Sequence, residues 1–497
     1  MDKVNRRTFL KEMGVVTTTA VLAAGGGAGR VLAAELDDRP VSEPAAEFAA
    51  TGERYDVIVV GGGVSGAVAG IASARQGART LIVEKMGFLG GMLTAGGVGP
   101  MMTFHAGERQ VVRGIAGEVV ERLKAMGGSP GHIVDTTGYT YTVTPFDAEL
   151  LKHVLETMFC EAGGVLLYHS MLAGVRREGD RIAAIRVLTK SGEQEFTAHT
   201  FVDASGDGDL AARSGVDFQL GRESDNLCQP VTMNMKMRQV NIARVKECVR
   251  RDPADFLEVN VALLDKATRL SLGGFVKEFE QGRRDGELSF SRECVLFFET
   301  NNPGEVIVNT TRIQKVNPTD AAELSRAETE GRRQALELYR FMQKRLPGFE
   351  AAVLVSTGPN LGVRESRKIK GRYILQAQDL LDRVAFDDEI ACGGYPIDVH
   401  SPDGEGTQTK KLPYGAVYGI PYRSLLAREI TNLITVGRCI SATSEACAAV
   451  RVSPIAMAIG QAGGTAGAMA VLSSCQPTEL PAGELRQALR KQGAYLR

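Results

Sequence analysis

The chain has 497 residues, 44% hydrophobic and 24% charged, a composition of folded globular protein that excludes disorder, collagen and coiled coil. At roughly 100–200 residues per domain the length allows two or three domains. Its 58 Lys+Arg are balanced by 59 Asp+Glu, so no basic excess exists to follow a phosphate backbone, and no nucleic-acid partner is expected.

The N-terminus begins MDKVNRRTFLK, with paired Arg6 and Arg7 followed by Phe9, Leu10 and Lys11. An apolar stretch of small residues from Gly14 to Gly29 and an A-x-A-like site after Val31-Leu32-Ala33 complete the layout of a twin-arginine export signal. Residues 1–34 are therefore expected to be a signal peptide read by the twin-arginine export machinery, with a periplasmic or extracellular destination. Residues 35–52, polar and rich in Pro and Ala, read as a linker. No later run of about 18 apolar residues is seen, so no stable membrane insertion of the mature chain is expected.

Thirteen of the 57 glycines fall between positions 51 and 100, where close backbone approach to a ligand is expected. Tyr55-Asp-Val-Ile-Val-Val60 is a β-branched apolar run, as a buried parallel strand should be. It meets Gly61-x-Gly63-x-x-Gly66, then small residues at helical spacing, then a second strand, Arg79-Thr-Leu-Ile-Val83, ending in Glu84. Gly61 permits the tight turn, Gly63 lets a pyrophosphate approach, and Gly66 lets helix pack on strand. Glu84 can accept ribose hydroxyls, which disfavours a 2′-phosphate and hence NADP. The pattern predicts a dinucleotide without separating NAD from FAD.

Residues 145–215 read as a helix (Asp147–Glu161) followed by strands at 165–169, 171–177 and 181–189, a β-meander. Residues 216–350 lack glycine motifs and hold charged helices. Among them, Asp320–Leu346 is capped by Asp320, with Glu323 three residues on, and is expected to pack through Leu324, Leu336, Tyr339 and Met342. Near the C-terminus Asn432-Leu-Ile-Thr-Val-Gly437-Arg438 is another strand and turn. It leads to Arg451-Val-Ser453-Pro454 and a helix in which Ser453 can cap, Pro454 suits the first position, and Ala458, Ala462, Ala466 and Ala470 offer a smooth face. The eight cysteines are scattered without C-x-x-C and read as small buried hydrophobes; no metal site or disulfide framework is expected.

Gly90-Gly91 with Thr94 after Glu84, the strand Phe201-Val-Asp-Ala-Ser-Gly-Asp207, and the C-terminal strand and helix together resemble glutathione-reductase-like flavoproteins with two dinucleotide-binding domains. More narrowly, Leu361-Gly362-Val363-Arg364-Glu365-Ser366-Arg367 and Tyr395-Pro396-Ile397-Asp398-Val399-His400 resemble segments of the FAD-dependent oxidoreductase family, the likeness running from about residue 54 to 473. The resemblance implies noncovalent FAD. It assigns cofactor contacts to Gly61, Gly63, Val64, Ser65, Gly66, Glu84, Lys85, Gly90, Gly91, Met92, Ala204, Ser205, Gly206, Gly437, Arg438, Ser453 and Pro454, with Ser205 standing where the class has Thr. The helix after Val452 is implied to point its N-terminus at the flavin pyrimidine ring, where it would stabilise reduced flavin.

The implied fold is α/β: a Rossmann-like FAD-binding domain of parallel sheet plus β-meander, with an inserted α+β substrate or cap domain. The expected divisions are 53–215 (FAD-binding, first part), 216–350 (substrate or cap), 351–475 (FAD-binding, second part) and 476–497 (tail). Arg364 and Arg367 are candidates to clamp an anionic or carbonyl substrate, since guanidinium forks suit carboxylates. His105, Tyr395 and His400 are candidates for proton transfer. Cys392 has no redox partner. The expected function is an exported oxidoreductase that dehydrogenates or reduces a small organic substrate, with an electron donor or acceptor left unnamed. Alternatives are a fumarate-reductase-like or steroid-dehydrogenase-like flavoenzyme, an NAD-dependent dehydrogenase, or a flavin-bearing electron-transfer subunit.

Overall fold

The run Arg54–Val60 (β1) is a central strand of the principal sheet, and its side chains alternate between two cores. Val57 and Val59 face the helices, while Ile58 and Val60 belong to the core on the opposite face. Helix Val64–Arg75 (α1) follows the glycine turn, and Thr80–Val83 (β2) returns parallel to β1. Helix Ala148–Glu161 (α2) is capped by the Asp147 carboxylate, which accepts from the backbone of Glu149 and Leu150. Val165–Leu167 (β3) then pairs parallel with β2, so this strand belongs to the parallel sheet and not to the meander that the sequence suggested. Met171–Glu178 (β4), Arg181–Thr189 (β5) and Gly192–Asp203 (β6) form the meander.

The structure, a computed structural model, describes residues 47–48, 52–404 and 406–497, all within one unit from Pro44 to Arg497. The expected signal and most of the expected linker lie outside the described residues. Glu47–Phe48, placed by the sequence in that linker, pair parallel with Val165 and Leu166.

β6 joins the two halves of the large sheet. Its first half pairs antiparallel with β5, while Thr197–Asp203 run parallel to β1. A second layer is antiparallel throughout: Met235–Arg238 (β7), Ser271–Gly274 (β8), Val295–Glu299 (β9), Val306–Val308 (β10) and Val353–Thr357, in the order β8-β9-β10-β7 followed by that last strand. It has its own core, under helix Ala321–Arg345 (α3). The Asp320 carboxylate caps α3 by accepting from Glu323 N, but the side chain of Glu323 takes its bond from Asn317 N, so no reciprocal capping box forms. α3 packs through Ala327, Ala335, Leu338, Phe341 and Met342; Leu324 and Tyr339 are half-buried, and Leu336 is exposed. Because Val353–Thr357 and Leu361 belong to this layer, it extends beyond the expected boundary at 350.

After a further antiparallel pair, Ile397–His400 with Thr407–Lys410, the chain re-enters the large sheet as Leu433–Thr435 (β11), parallel to the end of β6. The C-terminal ends of β1, β2, β6 and β11 therefore share one edge, where ligands of open parallel sheets sit. Helix Ser453–Leu472 (α4) packs on α1. It is long and apolar enough to cross a bilayer, contrary to the sequence reading that no such run exists, but 78% of its apolar window is buried in the fold. Its close approach comes from Gly460 and Gly464, whose positions leave no room for a Cβ against the backbone of Ser65 and Ala69. Of the expected alanine face, Ala462, Ala466 and Ala470 are buried and Ala458 is only half-buried. In residues 476–497, the expected C-terminal tail, helix Ala482–Lys491 buries Leu485 and Leu489, and Arg497 pairs with Glu389 at 2.7 Å.

Candidate active site

At the shared strand edge the glycines make a cradle. A Cβ on Gly61, which has φ +103°, would press on the Ala204 backbone, and one on Gly66 would strike the Gly61 carbonyl. Gly63 differs: at the start of α1 its nearest protein neighbour to a Cβ would be Gly91 Cα at 4.0 Å, so the open space beside it belongs to the cavity. The Gly90-Gly91 segment is stitched to this turn by Gly90 N donating to Gly62 O at 2.9 Å. Glu84 is buried; its carboxylate accepts from Gly62 N at 2.6 Å and Met86 N at 2.8 Å, one bond per oxygen, leaving lone pairs for ribose hydroxyls. Ser65 Oγ is buried without a hydrogen-bond partner and lines the cavity, as a phosphate donor at a helix N-terminus should.

Ala204-Ser205-Gly206 and Gly437-Arg438 close the cradle. Arg438 pairs at 2.6 Å with Asp207, whose Oδ1 also accepts from Ser366 Oγ at 2.7 Å. Burial alone would raise the Asp207 carboxyl, but Arg438 and Ser366 outweigh it and hold it low. The α4 N-terminus lies at the same cavity through Val452 and Ser453. Val452 is the N-cap, with no side-chain bond; Ser453 is the first helical residue and does not cap, because its position is already inside the turn. Gly66, Gly90 and Pro454 support the cradle without lining it, whereas the other expected cofactor contacts do line it. These groups fit a dinucleotide: an open glycine face, an unpartnered hydroxyl at a helix start, and an acid at the end of β2.

The cavity, about 690 Å³, continues from this cradle to a second cluster beneath the antiparallel layer. Arg364 is buried there; Nη1 donates to Pro230 O (2.8 Å) and Thr232 Oγ1 (2.5 Å), and Nη2 to Asn309 Oδ1 (3.2 Å). Burial, then Arg451 and Arg292, weaken the hold of Arg364 on its proton. Asp398 Oδ2 lies 3.3 Å from His400 Nε2 and accepts from Tyr395 OH at 3.2 Å. Burial first, then Arg364, push His400 down to about 3. It is neutral at pH 7, and the network places its proton on Nε2 toward Asp398, with Nδ1 accepting from Thr407 Oγ1 at 3.0 Å. Burial opposes ionisation of Asp398, yet His400 and the arginines hold its carboxyl well below the usual range. Burial, then Asp398, raise Tyr395.

Two expected candidates do not reach this cavity. His105 lies on a short strand, with Nδ1 2.9 Å from Thr142 Oγ1 and its ring edge-on to His132. Closeness in sequence to the glycine segment did not bring its side chain inward. Arg367 turns the other way, donating to Asp209 Oδ1 (2.9 Å) and covering the Phe218 ring. The sequence reading passed over Asp207, Asp398, Arg292, Arg451 and Tyr139, which lines the cavity with its ring against that of Tyr395. Asp398 stood inside a segment already singled out, and Arg451 opened another; Tyr139 and Arg292 carry no local signal.

A Rossmann-type parallel sheet with a β-meander and a dinucleotide cradle at the strand ends defines an FAD-binding flavoprotein. The model of the FAD dependent oxidoreductase family matches residues 56–489, and the chain belongs to that family. It is an oxidoreductase with FAD as cofactor. A tRNA uridine 5-carboxymethylaminomethyl modification enzyme from Protochlamydia amoebophila is 39% identical over 89 residues, which span 18% of this chain and only 12% of that enzyme. Among solved structures, a geranylgeranyl bacteriochlorophyll reductase-like protein from Thermoplasma acidophilum is 14% identical, with 89% of this chain and 82% of that one covered and a TM-score of 0.43. The p-nitrophenol 4-monooxygenase of Pseudomonas putida is 9% identical (88% and 84% covered, TM-score 0.45), and L-proline dehydrogenase from P. horikoshii is 13% identical (90% and 100% covered, TM-score 0.41).

Proposed function

We propose that the enzyme moves a hydride between noncovalently held FAD and a small organic substrate seated against Arg364, Tyr395, Asp398 and His400. The observation that carries this reading is the continuity of one cavity from the glycine cradle to that buried polar cluster. FAD, when bound, supplies the two-electron chemistry. The chain's own residues then have three tasks. Arg364, held by Pro230, Thr232 and Asn309, orients and polarises the substrate. The linked Tyr395, Asp398 and His400 provide hydrogen-bonded sites for one proton. The antiparallel layer over this end of the cavity keeps water away; a pure electron carrier has no use for such a layer, which favours an enzyme with its own substrate. We further propose export through the twin-arginine signal at Arg6 and Arg7.

The test starts with acid precipitation, which should release yellow FAD into the supernatant; colour in the pellet would mean a covalent link. Arg364→Lys should then lose roughly 2–4 kcal/mol of transition-state stabilisation, about 30- to 1000-fold in kcat/KM, with FAD content and Tm near the parent. A variant that melts lower or sheds FAD, with turnover per bound FAD unchanged, would make Arg364 a strut and retire its role toward substrate.

A further inference from the structure

The charges at the far end of the cavity do not balance. Arg292, Arg364 and Arg451 all line it, and among the described residues none has a carboxylate within ion-pair distance. Arg451 Nε is buried without a hydrogen-bond partner among the described residues. The acids nearby are accounted for. Asp398 is shared between His400 and Tyr395. Glu258 is paired with Lys411, Glu328 with Arg332, and Glu293 is exposed. The dinucleotide end has its own charges, with Lys85 and Arg438 acting on Asp207, whereas Arg292 and Arg451 act on Arg364. Three guanidinium groups against Asp398 and the exposed Glu293 leave a net positive charge in a partly dry space. Burying part of such an excess is costly, and a bound anion offsets the cost.

Resting on the reading of this end as the substrate's, we infer that the substrate is a small organic acid, held by its carboxylates on Arg292, Arg364 and Arg451, a dicarboxylate engaging more of the three than a monocarboxylate can. Carboxylates suit planar guanidinium forks, and the apolar wall of Cys294, Leu296, Leu361 and Val363 suits the carbon chain between them.

The FAD-loaded protein should be titrated with succinate, with butane-1,4-diol as its uncharged counterpart and with inorganic phosphate, following Tm and the visible flavin band together. Succinate should raise Tm by a few degrees at saturation and shift the flavin band with the same dissociation constant, and the diol should do neither. Arg451→Gln and Arg292→Gln should each weaken succinate about tenfold or more while retaining FAD. Equal binding by the diol, tighter binding by phosphate alone, or unchanged succinate affinity in both variants would overturn the inference. A Tm rise without a flavin shift would also overturn it, by placing the anion elsewhere, and would leave the hydride-transfer proposal standing. A neutral metabolite that bleaches the flavin would do the same. A protein that no metabolite bleaches, yet that binds succinate with both signals, would support the acid site and count against hydride transfer alone.

Discussion

Gly464 on α4 offers a test in which one added methyl group should act with opposite signs at two sites of a single helix. In an exposed helix Gly→Ala gains about 1 kcal/mol from propensity. At Gly464 a Cβ would press hardest on the carbonyl oxygen of Ala69 on α1, and would lie 2.6 Å from its carbonyl carbon and 2.7 Å from its Cα, against an ordinary separation of about 3.5–4.0 Å. All three are backbone atoms, so relief requires the helices to part by more than about 1 Å. Overpacking of this kind typically costs about 1–3 kcal/mol, and here it falls at the upper end because no side chain can swing aside. Subtracting the propensity gain leaves Gly464→Ala about 1–2 kcal/mol less stable. At Gly467, three residues on, the added Cβ would meet Thr200 Cγ2 at 3.5 Å and Val57 at 3.6 Å, which is normal contact. Gly467→Ala should therefore be neutral or more stable by up to about 1 kcal/mol. Thermal unfolding of the two variants in one buffer, with FAD content measured alongside, makes the comparison. If Gly464→Ala melts at or above the parent temperature, or the two variants move together, close backbone packing of α4 on α1 is not what fixes this helix.

Gly63→Ala should leave the fold intact, since the protein has room for the methyl group, but should weaken FAD retention at least tenfold; a yellow, fully loaded variant would refute the cradle. Stability should fall in mild acid. His132 and His400 are pushed down to about 4 and about 3 in the fold, chiefly by burial, whereas the unfolded chain takes up these protons near pH 6.5. The stabilisation is thus complete above about pH 6.5 and is lost as the pH drops toward 4, so Tm at pH 5 should lie several degrees below Tm at pH 7.5, with a smaller gap in His132→Gln; equal gaps would refute the assignment. Changing Arg6 and Arg7 together to Lys should strand the protein in the cytoplasm, and unchanged export measured by fractionation would show that the pair is incidental.

Much of the cofactor end was legible in the sequence because its parts are local. Strand, glycine turn, helix, second strand and Glu84 fall within about thirty residues, and each part is required by the geometry of its neighbours. The far end of the cavity was only partly legible, because its contacts join distant segments. The Arg364 guanidinium is fixed by Pro230, Thr232 and Asn309, 134, 132 and 55 positions away. His105 and Arg367 lie outside the cavity for another reason: residues adjacent to a motif share its strand or loop, but their side chains need not share its direction. On α4 small residues occupy more than one face, so composition could not say that Gly460 and Gly464 are where α1 comes closest.

The three arginines at the far end come from three separate stretches of chain: Arg292 precedes β9 of the antiparallel layer, Arg364 follows the last strand of that layer, and Arg451 sits just before α4. Without an anion they repel one another across the seam between the two hydrophobic cores, so that seam is electrostatically loaded in the resting protein. Dissolved ions that screen like charges should tighten this joint, whereas they weaken the many exposed ion pairs on the surface. Binding of an acid would then relieve that repulsion, tying the stability of this joint to the charge of the molecule within it.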